Sequence, residues 1–353
     1  MSITIICGTR PELIKMLPVF TELKEYKHIW TGQHFSPNMS DIFFKELNIR
    51  YDYKLDIGSN NEHGAQTGKM MMQIEELINE IKPNLVIVHG DTNSALAGAM
   101  VAAKKRIPLA HIEAGLRSYE KSMAEEQNRV VIDHLSDFHF APSERAKLNL
   151  IRESINEKNI FVVGNTIIDV LKKYGGWLKT PNQNLQFPGN QNYGLLTLHR
   201  PENVDDRVRL KRILLAVARI KLPFVFPAHP RFKKKIKEFG YLLPDNIKLI
   251  EPLGFLDFLK IEANCIGVIT DSGGVQEEAM YLHKPCVTIR DSTERPETID
   301  IGANRLVTPT RLKVGFNEAY KGDWTWTNKI YGVGESGKQI VGILRKKGFC
   351  NGR

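Results

Sequence analysis

The feature that most constrains the fold of this chain is the regular alternation of short apolar runs with helical patterns along almost its whole length. The first half contains the strand-like runs "ITIICG", "HIWTGQ", "NLVIVHGD", "PLAHIEAG", "DFHFAPS" and "IFVVGN", with helical patterns between them. Apolar runs that are joined by helices are typical of parallel strands covered by helices on both faces. The pattern therefore predicts a doubly wound α/β domain.

A second domain is predicted from a change of composition at residues 172–192, "KKYGGWLKTPNQNLQFPGNQN", which is rich in Gly, Pro, Asn and Gln. The alternation restarts after this stretch with "YGLLTLHR", "PFVFPAHP", "IKLIEPL", "CIGVITDS", "PCVTIRDS" and "RLVTPT". A chain of 353 residues is long enough for two such domains. We expect ligands at the carboxyl ends of the strands, in a cleft between the two domains.

The bulk composition predicts a cytoplasmic globular protein. The chain is 42% apolar and 25% charged, it shows no signal-peptide pattern, and it has no apolar run near the ~20 residues of a membrane helix. Four cysteines without C-x-x-C spacing predict reduced, mostly buried thiols. The net charge of +9 permits nucleic acid as a partner. However, the basic run "RFKKKIKEF" at 231–239 is typical of a solvated helix face, so we expect neither a nucleic-acid nor a membrane partner.

Two glycine-rich stretches imitate cofactor-binding loops without matching them. "GVGESG" at 332–337 has the G-x-G-x-x-G spacing of dinucleotide-binding proteins, but no clear strand precedes it and little chain follows it. "GAQTGKM" at 64–70 has three residues between its glycines where a P-loop has four, and it predicts the start of a helix. The histidines form no H-E-x-x-H pair, and no serine lies in a G-x-S-x-G elbow. We therefore expect chemistry based on carboxylates, histidine and cations, with no cofactor and no metal.

The second half contains one strong signal for phosphate binding, "CIGVITDSGGVQEEA". A buried strand ends at Asp271, and Ser272, Gly273 and Gly274 precede a helix whose N-terminal amides and dipole favour an anion. Glu278 follows within the first turns, where a carboxylate can accept hydrogen bonds from ribose hydroxyls. The alternative is that "DSGG" is only a helix cap.

Cations and histidines at other strand ends extend the candidate site. Arg10 in "GTRPE" and Arg295 in "RDSTERPE" each precede a proline at a strand-to-helix turn, and together with Lys15 they could hold a diphosphate. Each of them could equally be an ordinary surface cation. His199 in "TLHRPEN" and His229 in "PAHP" also end strands, where a histidine is as often a structural hydrogen-bonding group as a catalyst.

Two consecutive strands of the first half each end in an acid, Asp91 in "HGDT" and Glu113 in "HIEAG". The two acids are separated by about one helix and one strand, so a right-handed crossover places both at the same edge of the sheet. If the strands are neighbours, the carboxylates share a site, which is how proteins poise acids and bases near neutral pH. A third acid, Glu125 in "MAEEQNR", opens the next helix. The alternative for Asp91 and Glu125 is helix capping.

These motifs occur in a recognisable order: "GTRPE" with Lys15, "TGQH", "HGDT", "HIEAGLRS", "EEQNR", "LHRPEN", "DSGGVQEEA" and "RDSTERPE". The chain resembles the non-hydrolysing UDP-N-acetylglucosamine 2-epimerases of archaea and bacteria over nearly its full length. That resemblance implies the GT-B architecture, with two Rossmann-like domains and an inter-domain active-site cleft. It implies a first domain of residues 1–170, onto which a C-terminal helix at about 336–353 packs back, and a UDP-binding domain of residues 171–335.

The resemblance also implies an activity. Such enzymes interconvert UDP-N-acetylglucosamine and UDP-N-acetylmannosamine without NAD, through elimination of UDP to 2-acetamidoglucal and its re-addition. Catalytic roles are implied for Asp91, Glu113, Glu125 and His199, although the sequence assigns no acid to either face of carbon 2. The implied substrate-binding residues are Arg10, Lys15, His229, Phe258, Ser272, Gly273, Gly274, Glu278 and Arg295.

Other expectations are carried by the same resemblance. A regulatory site for UDP-N-acetylglucosamine, which some members possess, would involve Gln33, His34 and Gln66. A homodimer is expected. Two alternatives remain at this point: an epimerase that acts on a diacetamido-uronic acid UDP-sugar, and a GT-B glycosyltransferase.

Overall fold

The computed structural model describes residues 2–33, 44, 46–58, 62–178, 192–322 and 325–350. The chain divides into two compact units. Met1–Lys172 and Ile330–Arg353 form the first unit, and Lys173–Lys329 form the second. Most of the Gly/Pro/Asn/Gln-rich stretch that predicted the junction, residues 179–191, lies outside the described residues.

The described part of the first unit contains a seven-stranded parallel sheet. Its strands are β1 (Ile3–Cys7), β2 (Lys27–Trp30), β3 (Tyr53–Lys54), β4 (Leu85–His89), β5 (Leu109–Ile112), β6 (Phe138–Ala141) and β7 (Ile160–Val162). Their spatial order is β3-β2-β1-β4-β5-β6-β7, which reverses direction between β1 and β4 as in a Rossmann fold. All residues of β1, β4 and β5 are buried, which explains why these segments are so apolar in sequence.

The helices of this unit connect the strands over both faces of the sheet. They are α1 (Arg10–Glu22), α2 (His63–Ile81), α3 (Asn93–Lys104), α4 (Ala124–Leu135) and α5 (Glu144–Arg152). Helix α6 (Thr166–Leu178) follows β7 and begins in the first unit, and its last residues belong to the second. As predicted, "GAQTGKM" lies in the first turns of a helix, α2. Glycine is required at the β1–α1 turn, because a Cβ on Gly8 would lie 1.8 Å from the Oγ of Ser94 in α3.

Strands β4 and β5 are hydrogen-bonded neighbours, with Val88 opposite His111 and His89 opposite Ile112. The prediction that the two acid-bearing strands are adjacent is therefore confirmed. Glu113 is the residue after β5, and Asp91 is the second residue after β4.

The described part of the second unit contains a six-stranded parallel sheet. Its strands are β8 (Gly194–Leu196), β9 (Phe224–Pro227), β10 (Ile247–Ile250), β11 (Val268–Thr270), β12 (Cys286–Ile289) and β13 (Asn304–Val307), in the order β10-β9-β8-β11-β12-β13. The direction reverses between β8 and β11, and ligands of such sheets bind at the carboxyl ends of the strands on either side of this point.

The helices of the second unit are α7 (Pro201–Val204), α8 (Arg207–Ala218), α9 (Pro230–Phe239), α10 (Phe255–Asn264), α11 (Gly273–Tyr281), α12 (Pro296–Asp300) and α13 (Leu312–Lys321). Helix α9 carries the basic run "RFKKKIKEF", and Phe232 is its one buried residue. The prediction of a solvated helix face is therefore confirmed.

The C-terminal segment returns to the first unit. Helix α14 (Ser336–Lys346) packs on α1, and the backbone N–H groups of Ser336 and Gly337 donate to the carboxylate of Asp169 in α6 at 3.0 and 2.9 Å. The stretch "GVGESG" therefore leads into α14, and the carboxylate of Asp169 occupies the N-terminus of that helix. Just before this helix, the carbonyl of Tyr331 accepts a hydrogen bond from the N–H of Asn165 at 2.8 Å.

The four cysteines are unpaired, and Cys7, Cys265 and Cys286 are buried, which confirms the prediction of free, mostly buried thiols. Among the described residues, no helix has the length and apolar character needed to span a bilayer.

Candidate active site

Asp91 lies in the tight turn between β4 and α3, directly after Gly90, whose φ is +67°. Its Oδ2 accepts a hydrogen bond from Nη2 of Arg129 at 2.5 Å, while 29% of its side chain remains exposed. The hydroxyl of Thr92 accepts the N–H of Ala95 at 3.0 Å and caps α3. Thr92, rather than Asp91, is therefore the capping residue, and the carboxylate of Asp91 faces a cation and solvent.

Glu113 holds its carboxylate among three polar side chains. Its φ of +70° is left-handed, which is strained for a residue that carries a side chain. Oε1 accepts hydrogen bonds from Nζ of Lys15 at 2.6 Å and from Nδ2 of Asn165 at 3.1 Å. Oε2 lies 3.5 Å from Nε2 of His89. The strained strand end thus aims the carboxylate at a cation supplied by α1.

His89 is a buried histidine beside this acid. Its side chain is 4% exposed, and among the described residues neither of its ring nitrogens has a hydrogen-bond partner within normal geometry. Burial, opposed in part by Glu113, lowers the pKa of His89 to about 4. The ring is therefore neutral at pH 7 and can offer one N–H to Glu113 without adding charge.

The two acids that open α4 have different surroundings. Glu125 lies in the first turn and is partly exposed, and the helix has Met123 as its N-terminal flanking residue. Glu126 is buried and accepts the backbone N–H groups of residues 118–119 at 2.9 and 2.8 Å, as well as Nη1 of Arg129 at 2.6 Å. Arg129 thus joins Glu126 to Asp91, and Glu126 orders the loop that precedes the helix.

A buried carboxyl links the turns that follow β1 and β4. Glu12 is 2% exposed; its Oε2 accepts the N–H groups of residues 8–9 at 3.0 and 2.7 Å, and its Oε1 accepts the hydroxyl of Thr92 at 3.0 Å. Burial, opposed by these hydrogen bonds, raises the pKa of Glu12 to about 7. Arg10 stands next to this link at the start of α1, and partial burial lowers its pKa.

The two described members of the predicted regulatory set lie together near the start of α3. Oε1 of Gln33 accepts hydrogen bonds from the backbone N–H and the hydroxyl of Ser94 at 2.9 and 2.8 Å. Oε1 of Gln66 accepts a hydrogen bond from Nδ2 of Asn93 at 3.0 Å. Nε2 of Gln66 also donates to the carbonyl of Gln33 at 3.3 Å. His34 lies outside the described residues.

In the second unit, His199 follows β8 and pairs with Asp271, which follows β11. Nδ1 of His199 lies 2.9 Å from Oδ1 of Asp271; the ring is 47% exposed and the carboxylate is fully buried. Asp271 also accepts the N–H groups of His199 and Arg200 and Nδ2 of Asn203, at 3.1 to 3.2 Å. Burial alone would raise the pKa of Asp271, but His199 and these donors outweigh it and lower the pKa below its usual value. The ionised Asp271 therefore keeps the proton of His199 on Nδ1 and leaves Nε2 to exchange protons.

The residues at the start of α11 are arranged so that backbone can approach a ligand. Ser272 is the N-terminal flanking residue, yet its hydroxyl makes no capping hydrogen bond. A Cβ on Gly273 would lie 2.4 Å from Oε1 of Glu294, whereas at Gly274 the nearest atom, Oγ of Ser272, would be 4.0 Å away. The turn thus leaves a hydroxyl and helix N–H groups available to an anion.

Glu278, on the same helix, lies against a second acid. Glu278 is 8% exposed and Glu262 of α10 is fully buried. Burial first, and then Glu278, raises the pKa of Glu262 well above its usual value. Burial and the neighbouring Glu278 therefore favour the protonated form of Glu262.

The remaining predicted substrate-binding residues all have structural contacts of their own. Arg295 is 5% exposed and its Nε donates to the carboxylate of Glu277. His229 flanks the start of α9, where its Nδ1 accepts the N–H of Arg231 at 3.2 Å. Phe258 packs against a buried apolar cluster of the second unit. Their roles toward a substrate stay predictions.

Comparison with known proteins adds a family to this geometry. The family model described as UDP-N-acetylglucosamine 2-epimerase matches residues 21–345. The chain belongs to the UDP-N-acetylglucosamine 2-epimerase family. The resemblance drawn from the motifs is therefore confirmed.

Relatives within the epimerase family match the chain from end to end. The UDP-N-acetylglucosamine 2-epimerase of Methanocaldococcus jannaschii is 47% identical, over 98% of this chain and 99% of the relative. A solved structure of the M. jannaschii enzyme in complex with UDP-GlcNAc and UDP is similar with a TM-score of 0.91 and 47% identity, and the match covers 98% of this chain and 100% of that one. The UDP-2,3-diacetamido-2,3-dideoxy-D-glucuronate 2-epimerase of Pseudomonas aeruginosa is 39% identical, over 98% of this chain and 100% of the relative. The predicted fold class, α/β of the GT-B type with two Rossmann-like domains, is confirmed.

Sequence reasoning missed four polar residues around the acids of this family member: His89, Asn165, Glu126 and Arg129. Three of them belong to motifs that were recognised, "HGDT" and "EEQNR", from each of which a single acid was selected. The signal that could have found them is the cluster of polar residues on both sides of each acid. Asn165 follows β7 and offered no comparable signal.

Proposed function

We propose that this chain is an isomerase that reversibly converts UDP-N-acetylglucosamine to UDP-N-acetylmannosamine at carbon 2. One observation carries the proposal beyond family membership: Asp91 and Glu113 follow neighbouring strands, and each carboxylate contacts a cation from a different helix. Two acids held in this way suit a reaction that removes a proton from one carbon and returns one to it.

The reaction is balanced without any redox step. A base takes the proton of carbon 2, the bond between carbon 1 and the diphosphate oxygen breaks with its electron pair going to UDP, and a double bond forms between carbons 1 and 2. Re-addition of UDP to carbon 1 with a proton on the opposite face of carbon 2 gives the epimer. No hydride leaves the sugar, so the reaction needs no nicotinamide.

The acids of the first unit are proposed to handle the two faces of carbon 2. Asp91 and Glu113 lie at one sheet edge, and Glu125 opens α4, whose Arg129 contacts Asp91. A positioned acid or base contributes about 10²–10⁴ in rate. Lys15, which pairs with Glu113, and Arg10 are proposed to stabilise the negative charge that develops on the departing diphosphate.

The second unit is proposed to hold the nucleotide and to support its departure. The helix N–H groups after Ser272 are proposed to bind the phosphates at the start of α11, where the Ser272 hydroxyl makes no capping hydrogen bond. Glu278, on the same helix, is suited to the ribose hydroxyls. His199, oriented by Asp271, offers Nε2 as a proton donor or acceptor. His229, Phe258 and Arg295 complete the proposed substrate-binding set.

The proposal is tested by incubation with UDP-N-acetylglucosamine in heavy water, followed by NMR and mass spectrometry of the nucleotide sugars. We expect UDP-N-acetylmannosamine with deuterium at carbon 2, and deuterium entering the remaining substrate as the reaction reverses. Undeuterated epimer would exclude the proton-transfer route. Free UDP with a glycosylated acceptor would indicate a glycosyltransferase, and free N-acetylmannosamine would indicate a hydrolysing enzyme.

A second candidate substrate is a UDP-linked diacetamido-uronic acid, which is favoured by the 39% identity to the P. aeruginosa enzyme. The same acids would serve carbon 2 of that sugar equally well. Rates measured on a panel of UDP-sugars separate the two: the proposal requires kcat/KM to be highest for UDP-N-acetylglucosamine or its epimer.

The proposal includes a cytoplasmic homodimer that is activated by UDP-N-acetylglucosamine through Gln33, His34 and Gln66. Light scattering should give twice the 40.1 kDa mass of the chain. Conversion of UDP-N-acetylmannosamine should accelerate when a trace of UDP-N-acetylglucosamine is added, and less so in Gln66→Ala. A monomeric mass would contradict the proposed homodimer. An initial rate that added UDP-N-acetylglucosamine leaves unchanged would contradict the proposed activation.

A further inference from the structure

His111 is a fully buried histidine of β5 whose two ring nitrogens both face oxygen atoms. Nδ1 lies 2.7 Å from Oδ1 of Asp133 in α4, and Nε2 lies 2.8 Å from the backbone carbonyl oxygen of Gly90. Both the His111 and Asp133 side chains are completely buried, so no water competes for these contacts. A carbonyl oxygen can only accept, which places a proton on Nε2.

The other ring nitrogen must carry a proton as well, because Asp133 is ionised. Its second oxygen, Oδ2, lies 2.7 Å from Nη1 of Arg117 and accepts the N–H of Gly115 at 3.1 Å. Both of these donors favour the ionised form of the carboxylate, and the guanidinium of Arg117 compensates its charge directly. Asp133 therefore has no proton to donate to Nδ1.

The charges around this ring balance. Arg117 also makes a two-point contact with Glu153 of α5, at 2.7 and 2.6 Å, so two cations face two carboxylates. Two further histidines near the ring are kept neutral by burial: burial lowers the pKa of His139 in β6, and it lowers the pKa of His89 in β4 to about 4. A buried charge on His111 is thus compensated by its neighbours.

The carbonyl that His111 contacts belongs to the turn that carries Asp91. Gly90 has a left-handed φ of +67°, its N–H donates to the carbonyl of Ile112 at 2.9 Å, and its own carbonyl accepts from His111. Both backbone polar groups of Gly90 are therefore held by β5. The residue that follows is Asp91.

We propose that His111 is a buried imidazolium that holds the Gly90 carbonyl and thereby positions Asp91. A neutral ring would direct a lone pair either at Gly90 or at Asp133, so loss of one proton would release one of the two contacts. His111 is a positioning residue, since it acts through the backbone of the turn. This positioning role rests on the proposed function of Asp91, whereas the charge on His111 does not.

The charge is tested by NMR on protein labelled with ¹⁵N in its ten histidines, at pH 7.5, where exposed histidines are mostly neutral. We expect one histidine whose two ring nitrogens are both protonated and whose ring N–H protons exchange slowly with water. Its signals should be lost in His111→Gln and retained in His134→Gln, which changes an exposed histidine of α4. If no histidine is doubly protonated at pH 7.5, or if the signals persist in His111→Gln, the charge assignment is overturned.

The positioning role is tested by kinetics of the same two variants. We expect kcat of His111→Gln to fall by about tenfold or more with little change in KM, because displacement of a catalytic group by about 1 Å can lower a rate by about 10²-fold. His134→Gln should retain the wild-type kcat. Wild-type kcat in His111→Gln would overturn the positioning role. Should His111→Gln fail to fold, the wild-type spectrum alone decides the charge.

The two proposals fail separately. A doubly protonated His111 in a protein that epimerises no UDP-sugar would overturn the proposed function and leave the charge assignment standing. An active epimerase whose histidines are all singly protonated at pH 7.5 would do the reverse.

Discussion

Lys15 and Glu113 form a buried ion pair across 98 residues of sequence, with Nζ 2.6 Å from Oε1. Their side chains are 8% and 7% exposed. Lys15 comes from α1, whereas Glu113 follows β5, so the pair joins α1 to the edge of the sheet where the acids lie. Removing one partner of a buried pair leaves an uncompensated charge and costs about 3–5 kcal/mol.

We therefore expect Lys15→Met to lower the free energy of unfolding by about 3 kcal/mol, as measured by urea denaturation. The double variant Lys15→Met with Glu113→Gln should recover much of this loss, because no buried charge is left alone. Lys27→Met is the matched control, since Lys27 pairs with Asp52 at 2.9 Å on the surface, where ion pairs contribute little to stability. An equal loss in Lys15→Met and Lys27→Met would contradict the burial argument.

Turnover should depend on the three acids of the first unit individually. Asp91→Asn, Glu113→Gln and Glu125→Gln each keep the size of the side chain and remove its ability to transfer a proton, so we expect kcat to fall at least about 100-fold. Circular dichroism should show a folded protein. Glu76→Gln, at an exposed position of α2, should leave kcat unchanged. Near wild-type turnover in all three acid variants would end the proposed mechanism.

Asp271→Asn should reduce activity through His199. Asparagine can present its amide N–H₂ to Nδ1 and so favour the wrong tautomer, and we expect kcat to fall by about 10²–10⁴-fold, as when a histidine loses its orienting aspartate. The comparison is Asp257→Asn, an exposed acid in the first turn of α10, which should be neutral. Equal kcat in the two variants would show that the orientation of His199 is unimportant.

Glu12 should make stability depend on pH in an unusual direction. A carboxyl whose pKa is raised to about 7 in the folded protein from 4.5 binds its proton more tightly when folded. It therefore stabilises the fold below pH 4.5, and this stabilisation is lost as the pH rises through 7. Glu12→Gln removes the charge: its amide oxygen can still accept the N–H groups of residues 8–9, and its N–H₂ can donate to the hydroxyl of Thr92.

Relative to Glu12→Gln, the wild type should lose on the order of 2 kcal/mol between pH 5 and pH 8. Urea denaturation of both proteins at the two pH values provides the measurement. Parallel pH dependences would mean that Glu12 is ionised throughout this range.

The placement of Asp91 and Glu113 was predictable because it follows from the general geometry of parallel sheets. Buried strands read as apolar runs, crossovers are right-handed, and consecutive strands are often neighbours, so strand-end acids meet at one edge. The pairing of β4 with β5 met this expectation. The start of a helix at "GAQTGKM" was predictable for a similar reason, since it depends on local sequence alone.

The partners of these acids were not predictable from local patterns. Lys15 and Asn165 reach Glu113 from 98 and 52 residues away, and no periodicity encodes which side chains converge over such distances. The choice between Glu125 and Glu126 has the same difficulty, because the two adjacent acids differ only in what their side chains meet. The sequence also did not show that the Nε of Arg295, a predicted diphosphate ligand, donates to the carboxylate of Glu277 on a neighbouring helix.

The hydrogen bond from Asn165 to the carbonyl of Tyr331 has a consequence for biosynthesis. The side chain of Asn165 contacts Glu113, and its backbone is anchored by a residue that the ribosome adds only after all of residues 173–329 have been made. The second unit is continuous in sequence and can fold as soon as it emerges, whereas the first must wait for its last helix. A nascent chain of this protein can therefore complete its second unit before the unit that carries Glu113.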